Sequence, residues 1–179
     1  MTDALLLIDI QNDYFDGGAF PLPNIAVAAA NAAILLTWAR QKGIRIVHVR
    51  HEENDPATGF LLAGSPGTGI HPSVAPAPGE TVVTKHYPNA FRNTALREHL
   101  EGVDHLLVVG AMSNMCVDAS ARAAFDLGFR LTVVEDACAA SDLDFNGRTI
   151  PDPVVHGAFM AALASAYGQV ATTRTIVGG

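Results

Sequence analysis

The sequence has 179 residues, 49% of them hydrophobic and only 16% charged; that fits one domain with ample apolar surface and excludes a disordered chain. Lys and Arg number 11 against 18 Asp and Glu, for a net charge of −7, and no basic stripe interrupts that balance. Nucleic acid and anionic membrane surfaces are therefore excluded as partners, since both are bound mainly through Lys and Arg.

In chain order, ALLLIDI (4–10) is short, branched and continuous, as expected of a strand buried on both faces. Asn24 is placed to cap a helix reaching residue 41, with Gly43 at its C-terminal end. IRIVHVR (44–50) and TVVTK (81–85) read as the next strands, followed by a helix over 93–101. HLLVVGA (105–111) leads into a helix over 115–127, closed by Gly128, and FRLTVVE (129–135) is a fifth strand. Asp152 before Pro153 predicts an N-cap with proline at the first helical position, for a helix reaching residue 167. QVATT (169–173) is a sixth strand. This alternation predicts an α/β fold: a three-layer αβα sandwich around a mostly parallel six-stranded sheet, Rossmann-like in layout. No repeat, linker or second domain is visible, so residues 1–179 read as a single domain.

Residues 51–80 break the rhythm. Gly59, Gly64, Gly67, Gly69 and Gly79 are interspersed there with Pro56, Pro66, Pro72, Pro76 and Pro78, which forbids a regular element. Such a segment is either a functional loop or an ordered excursion used in subunit packing.

Ligands of open parallel sheets bind at the carboxyl ends of the strands. Asp9 ends the run Leu5 to Ile8, Lys85 ends Thr81 to Thr84, and Cys116 follows Leu106 to Gly110 in the first turn of a helix. An unpaired buried carboxylate or ammonium is costly, and a helix N-terminus favours thiolate over thiol. Together the three form a nucleophilic constellation. The thiol attacks, the carboxylate takes its proton and the ammonium holds the charge state of the pair. Taken singly, Cys116 reads as a small buried hydrophobe rather than a nucleophile, and Asp9 with Lys85 as a structural salt bridge.

The blocks LLLIDIQNDYF, TKHYPNAF and VVGAMSNMCVDASARAAFDLGF resemble the three signature blocks of the isochorismatase-like cysteine hydrolases, which include nicotinamidases and N-carbamoylsarcosine amidases. The resemblance spans essentially the whole chain. It implies an αβα sandwich, with Asp9, Lys85 and Cys116 in the places of the acid, the lysine and the nucleophile. It also implies a non-proline cis peptide between Ala111 and Met112, and an oxyanion hole from the N–H groups of Met112 and Cys116. The expected activity is hydrolysis of a C–N bond in a small amide or ureido substrate through a thioester, without a cofactor. Alternatives are vinyl-ether cleavage of the isochorismatase type, against which Cys116 argues, and a member without turnover that serves in binding or assembly.

The family's metal-dependent nicotinamidases carry Asp-x-His after the second strand. Here the stretch reads His48-Val49-Arg50-His51-Glu52, so no metal is expected, with His51 and His71 read as solvated loop histidines. Gln11, Tyr14, Phe15, Tyr87 and Phe91 are candidates for the substrate pocket, Gln11 with a supporting role. Cys138, among small apolar neighbours, reads as a structural thiol, and Asp118 with Arg122 as a helix pair. His86, beside Lys85, faces the other way on an extended chain. No Gly-rich phosphate cradle is present.

Helices 25–41 and 154–167 are apolar nearly all round, which predicts burial by a second subunit in a homodimer or larger homo-oligomer. Two cysteines cannot form a disulfide framework, no stretch approaches the ~20 apolar residues of a membrane span, and the opening MTDALLLIDIQ lacks a basic n-region. A cytoplasmic protein with reduced thiols is expected, acting on a small molecule.

Overall fold

The computed structural model describes residues 3–178. Strand β1 (Asp3–Ile8) is followed by helix α1 (Ile25–Lys42), β2 (Arg45–His51) and β3 (Thr81–Lys85). After a short α2 (Leu96–His99) come β4 (His105–Ala111), a π-helical turn (Ser113–Val117) and α3 (Asp118–Asp126). Then β5 (Arg130–Ala139), β6 (Leu143–Phe145), β7 (Arg148–Ile150), α4 (Asp152–Ala166), β8 (Gln169–Ala171) and α5 (Thr173–Val177) complete the chain. The main sheet has six strands in the order β3-β2-β1-β4-β5-β8, and every neighbouring pair runs parallel.

Strands β1 and β4 lie at the centre of the sheet and are covered on both faces, which explains their unbroken apolar runs. Ala4, Leu6, Ile8, Leu106 and Val108 point into one core layer with Ala121, Ala124, Met160 and Leu163. Leu5, Leu7, Leu107 and Val109 alternate into the other, against Ala29, Ala32, Leu35, Leu36 and Ala39 of α1. Gly110 joins the two central strands most tightly. Its φ is +130°, and a Cβ there would overlap the carbonyl of Ile8.

Several boundaries differ from the sequence expectation. The first strand stops at Ile8, because Asp9 turns out of it with φ +51°. The second begins and ends one residue later than read and takes in His51. The helix expected over 93–101 shrinks to Leu96–His99. Thr94 Oγ1 donates to the Ala90 carbonyl and accepts from the Leu96 N–H, which gives the backbone a local alternative to a helical start. Asn24 precedes α1 as predicted, but its φ is +59° and its side chain makes no cap; the amide donates to Asp152 instead. Gly43 closes that helix in the left-handed region, as expected. Pro151 rather than Asp152 is the N-cap of α4. The fifth strand is extended to Ala139, the sixth stops at Ala171, and α5 and the β6–β7 hairpin were not anticipated. No described helix is long and apolar enough to cross a membrane.

Candidate active site

Four adjacent strands each deliver one reactive group at or just beyond their carboxyl ends. Across the sheet these are Lys85 from β3, His51 from β2, Asp9 after β1 and Cys116 after β4. Asp9 and Lys85 are 0% exposed and Cys116 5%.

The Lys85 ammonium is the hub. Its Nζ lies 2.7 Å from Asp9 Oδ2, donates to Cys116 Sγ at 3.2 Å and meets His51 Nδ1 at 3.0 Å. Burial works against that charge, but Asp9 and then Cys116 outweigh it and hold the ammonium above its ordinary pKa. The second carboxylate oxygen, Asp9 Oδ1, is buried with no hydrogen-bond partner among the described residues. A buried acceptor left open in this way is costly in a scaffold and ready for a proton in an active site.

Cys116 sits inside the π-helical turn, which runs directly into α3, rather than in the first turn of an ordinary α-helix. Such turns are frequent at functional sites. The favoured thiolate read from the sequence is corrected here. Burial first, and then the Asp9 carboxylate, push the Cys116 thiol well above its ordinary pKa, with Lys85 opposing them. The cis peptide implied by the resemblance is present between Ala111 and Met112.

His51 was not found by sequence reasoning, which placed it in the loop with His71. It is instead the last residue of β2, buried, and directly opposite Lys85 in the sheet register. His71 is elsewhere, stacked on Phe15 at 3.6 Å and bonded to Ser73. Asp9, His51 and Cys116 bring ligand atoms within 4.8 Å of one another, as a metal site would. The Lys85 ammonium already contacts all three, so a cation would have to displace a buried positive charge. These residues do not fit a metal.

The expected pocket residues separate into different roles. Gln11 is fully buried and its amide is consumed by backbone: Nε2 donates to the carbonyls of His51 and Thr68 at 2.8 and 2.9 Å, and Oε1 accepts the His51 N–H at 2.8 Å. It braces the site and does not line a pocket. Tyr14 lies next to the reactive groups. Burial raises its hydroxyl pKa far above the ordinary value, with Asp9 and Cys116 adding to the effect. Phe15 borders an open groove of about 750 Å³ together with Asn12, Phe60, Pro66 and His71. Tyr87 lies under the Arg92 guanidinium at 3.6 Å. Phe91 packs on Phe129, the residue just before β5 and thus toward the opposite end of the sheet, so it is core. Cys138 is buried, with its thiol pushed up to about 12 by desolvation.

The parallel sheet order and the carboxylate, ammonium and thiol at its carboxyl edge define a class of α/β hydrolytic domain. The chain belongs to the isochorismatase family, whose Isochorismatase domain profile matches residues 3–175. It is 46% identical over 179 residues to the uncharacterized isochorismatase family protein YddQ of Bacillus subtilis (strain 168), covering 99% of each chain. It is also similar to a maleamate amidohydrolase of Pseudomonas putida, at 33% identity over 96% of this chain and 83% of that one. A crystal structure from Oleispira antarctica, assigned to the isochorismatase hydrolases, superimposes with TM-score 0.96 and 49% identity, covering 99% of this chain and 97% of that one.

Proposed function

We propose that the protein is a cysteine hydrolase that cleaves a C–N bond of a small amide or ureido substrate. The observation that carries this reading is the Lys85 ammonium bound at once to the Asp9 carboxylate, at 2.7 Å, and to the Cys116 sulfur, at 3.2 Å. The amidohydrolase among its relatives points the same way.

In this mechanism Asp9 takes the Cys116 proton as the sulfur attacks the carbonyl carbon. The N–H groups of Met112 and Cys116 receive the oxyanion. Collapse breaks the C–N bond, Asp9 returns its proton to the departing nitrogen, and a thioester remains. Water then attacks the thioester, Asp9 accepts its proton, and the acid leaves as the proton returns to sulfur. Lys85 stabilises both anions in turn. The reading assumes a reducing compartment such as the cytoplasm, where both free thiols persist.

A panel of small carboxamides and ureido acids, maleamate among them, read by ammonia release, tests the proposal. Turnover lost in Cys116→Ala supports it. Full turnover in that variant, or pyruvate released from isochorismate with no amide cleaved, overturns it.

We also propose that the working form is a homodimer or larger homo-oligomer. Val27 and Ile34, seven residues apart on the outer face of α1, are 61% and 50% exposed, and Val154 at the start of α4 is 57% exposed.

A further inference from the structure

The family mechanism uses an acid, a lysine and a cysteine, yet the ammonium here has a third partner. His51 and Lys85 are register partners on adjacent parallel strands, and their side chains meet at 3.0 Å through His51 Nδ1. An ammonium only donates, so Nδ1 must be the bare, accepting nitrogen. A neutral ring then carries its proton on Nε2, which lies 2.7 Å from Glu53 Oε1. The network fixes the tautomer.

Both supports of the ring are themselves held. Gln11 grips the backbone N–H and carbonyl of His51. Glu53 donates its N–H to the Leu61 carbonyl at 2.8 Å and accepts the Ala63 N–H at 2.9 Å, so the Gly- and Pro-rich segment seats its carboxylate. The charged and titratable groups around the ring are thus Lys85, Asp9, Cys116 and Glu53, with Tyr14 nearby.

We propose that His51, oriented by Glu53, is a positioning residue that aims the Lys85 ammonium at Asp9 and Cys116. Three acceptors around a group with three N–H bonds leave the ammonium one orientation. Without the imidazole, one proton loses its partner in a buried site and the head swings away from the sulfur. The inference rests on Lys85 acting on Cys116 in the hydrolase reading above. It assigns the long loop a task as well, that of delivering Glu53.

The test uses iodoacetamide on the full chain, with adducts on Cys116 and Cys138 counted separately by mass spectrometry and melting followed by circular dichroism. His51→Leu should slow Cys116 alkylation about tenfold or more, the effect of one lost hydrogen bond to a charged group, and leave Cys138 unchanged. His51→Gln, whose amide oxygen can accept from the ammonium, should recover to within about threefold of wild type. Glu53→Leu should slow the reaction, and Glu53→Gln, which still accepts from Nε2, should do so less. Wild-type alkylation in a folded His51→Leu protein would overturn the proposal. So would a His51→Gln protein as slow as His51→Leu, because the acceptor atom would then not be what matters. These rates require no substrate. They are separate from the hydrolase reading, which stands or falls on turnover and not on these rates.

Discussion

Gln11 holds His51 by its main chain, donating from Nε2 to the carbonyl and accepting the N–H at Oε1, both at 2.8 Å. A side chain that pairs like a strand neighbour extends the sheet beyond the point where β1 has turned away at Asp9. Gln11→Leu keeps the volume but leaves the His51 N–H and the Thr68 and His51 carbonyls without that partner. It should destabilise the fold by about 3 kcal/mol, measured by urea unfolding, and slow Cys116 alkylation as the ring loses its support.

Cys116→Ala should fold and melt within a few degrees of wild type while losing turnover, since one sulfur at the edge of the core leaves only a small void. Cys116→Ser should also be poor, because a hydroxyl has a far higher pKa than a thiol. In the native chain Cys116 should be alkylated ahead of Cys138, and Lys85→Met should slow that reaction. Burial raises both thiols, but only Cys116 of the two has an ammonium against its sulfur, Lys85 Nζ at 3.2 Å, to stabilise the anion that forms as it reacts. Peptide mapping after timed quenching reads both.

Asp9→Asn removes the carboxylate placed against the Lys85 ammonium. The reaction then has no acceptor for the thiol proton and no acid for the leaving nitrogen. A fall in kcat of ~10²–10⁴-fold is expected, with KM little changed.

Glu80 gives a prediction for acid stability. Arg40 grips its carboxylate through two donors at 2.7 and 2.8 Å, and with the Ala77 N–H and His48 holds its pKa at about 2, below the ordinary 4.5. The folded state therefore binds the proton less readily than the unfolded chain. The stabilisation is complete above the unfolded value and is lost as pH falls from about 4.5 toward about 2. Because Arg40 is more than a third exposed, the contribution is only about 1 kcal/mol. Urea unfolding at stepped pH should show wild type losing this increment across the window and Glu80→Gln lacking it throughout.

Light scattering at micromolar concentration should give a mass of at least two 18.8 kDa chains. Val27→Glu with Ile34→Glu should reduce it to one, since charges on a covered apolar face are expensive. A single-chain mass for wild type would remove the proposed assembly.

What could be read in advance follows from how local each signal is. Strands β3 and β4 have the predicted bounds, because an apolar run flanked by polar residues carries its own limits. The β6–β7 hairpin was equally legible and went unread. Asn146-Gly147 is a strong turn signal, and both residues take the positive φ, 51° and 73°, that a type I′ turn needs. His51 was not legible in the same way. Its meaning depends on standing opposite Lys85, 34 residues away, and the register between two strands joined by a long loop is written in no short motif. Cys116 was recognisable by type and place. Its protonation state was not, because that depends on burial and on a carboxylate from another strand.

Gly110 adds a mechanical consequence. The atom that a methyl group at this position would strike belongs to Ile8, the residue just before Asp9. Gly110 itself stands two residues before Met112 and shortly before the turn that carries the sulfur. The missing side chain thus sets the gauge between the strand that leads to Asp9 and the strand that leads to Cys116. Gly110→Ala would strain the backbone at φ +130° and wedge the two central strands apart at the edge that carries these groups. The spacing of the chemical groups is therefore coupled to the packing of the innermost strands, and damage there should appear as lost turnover before it appears as an unfolded chain.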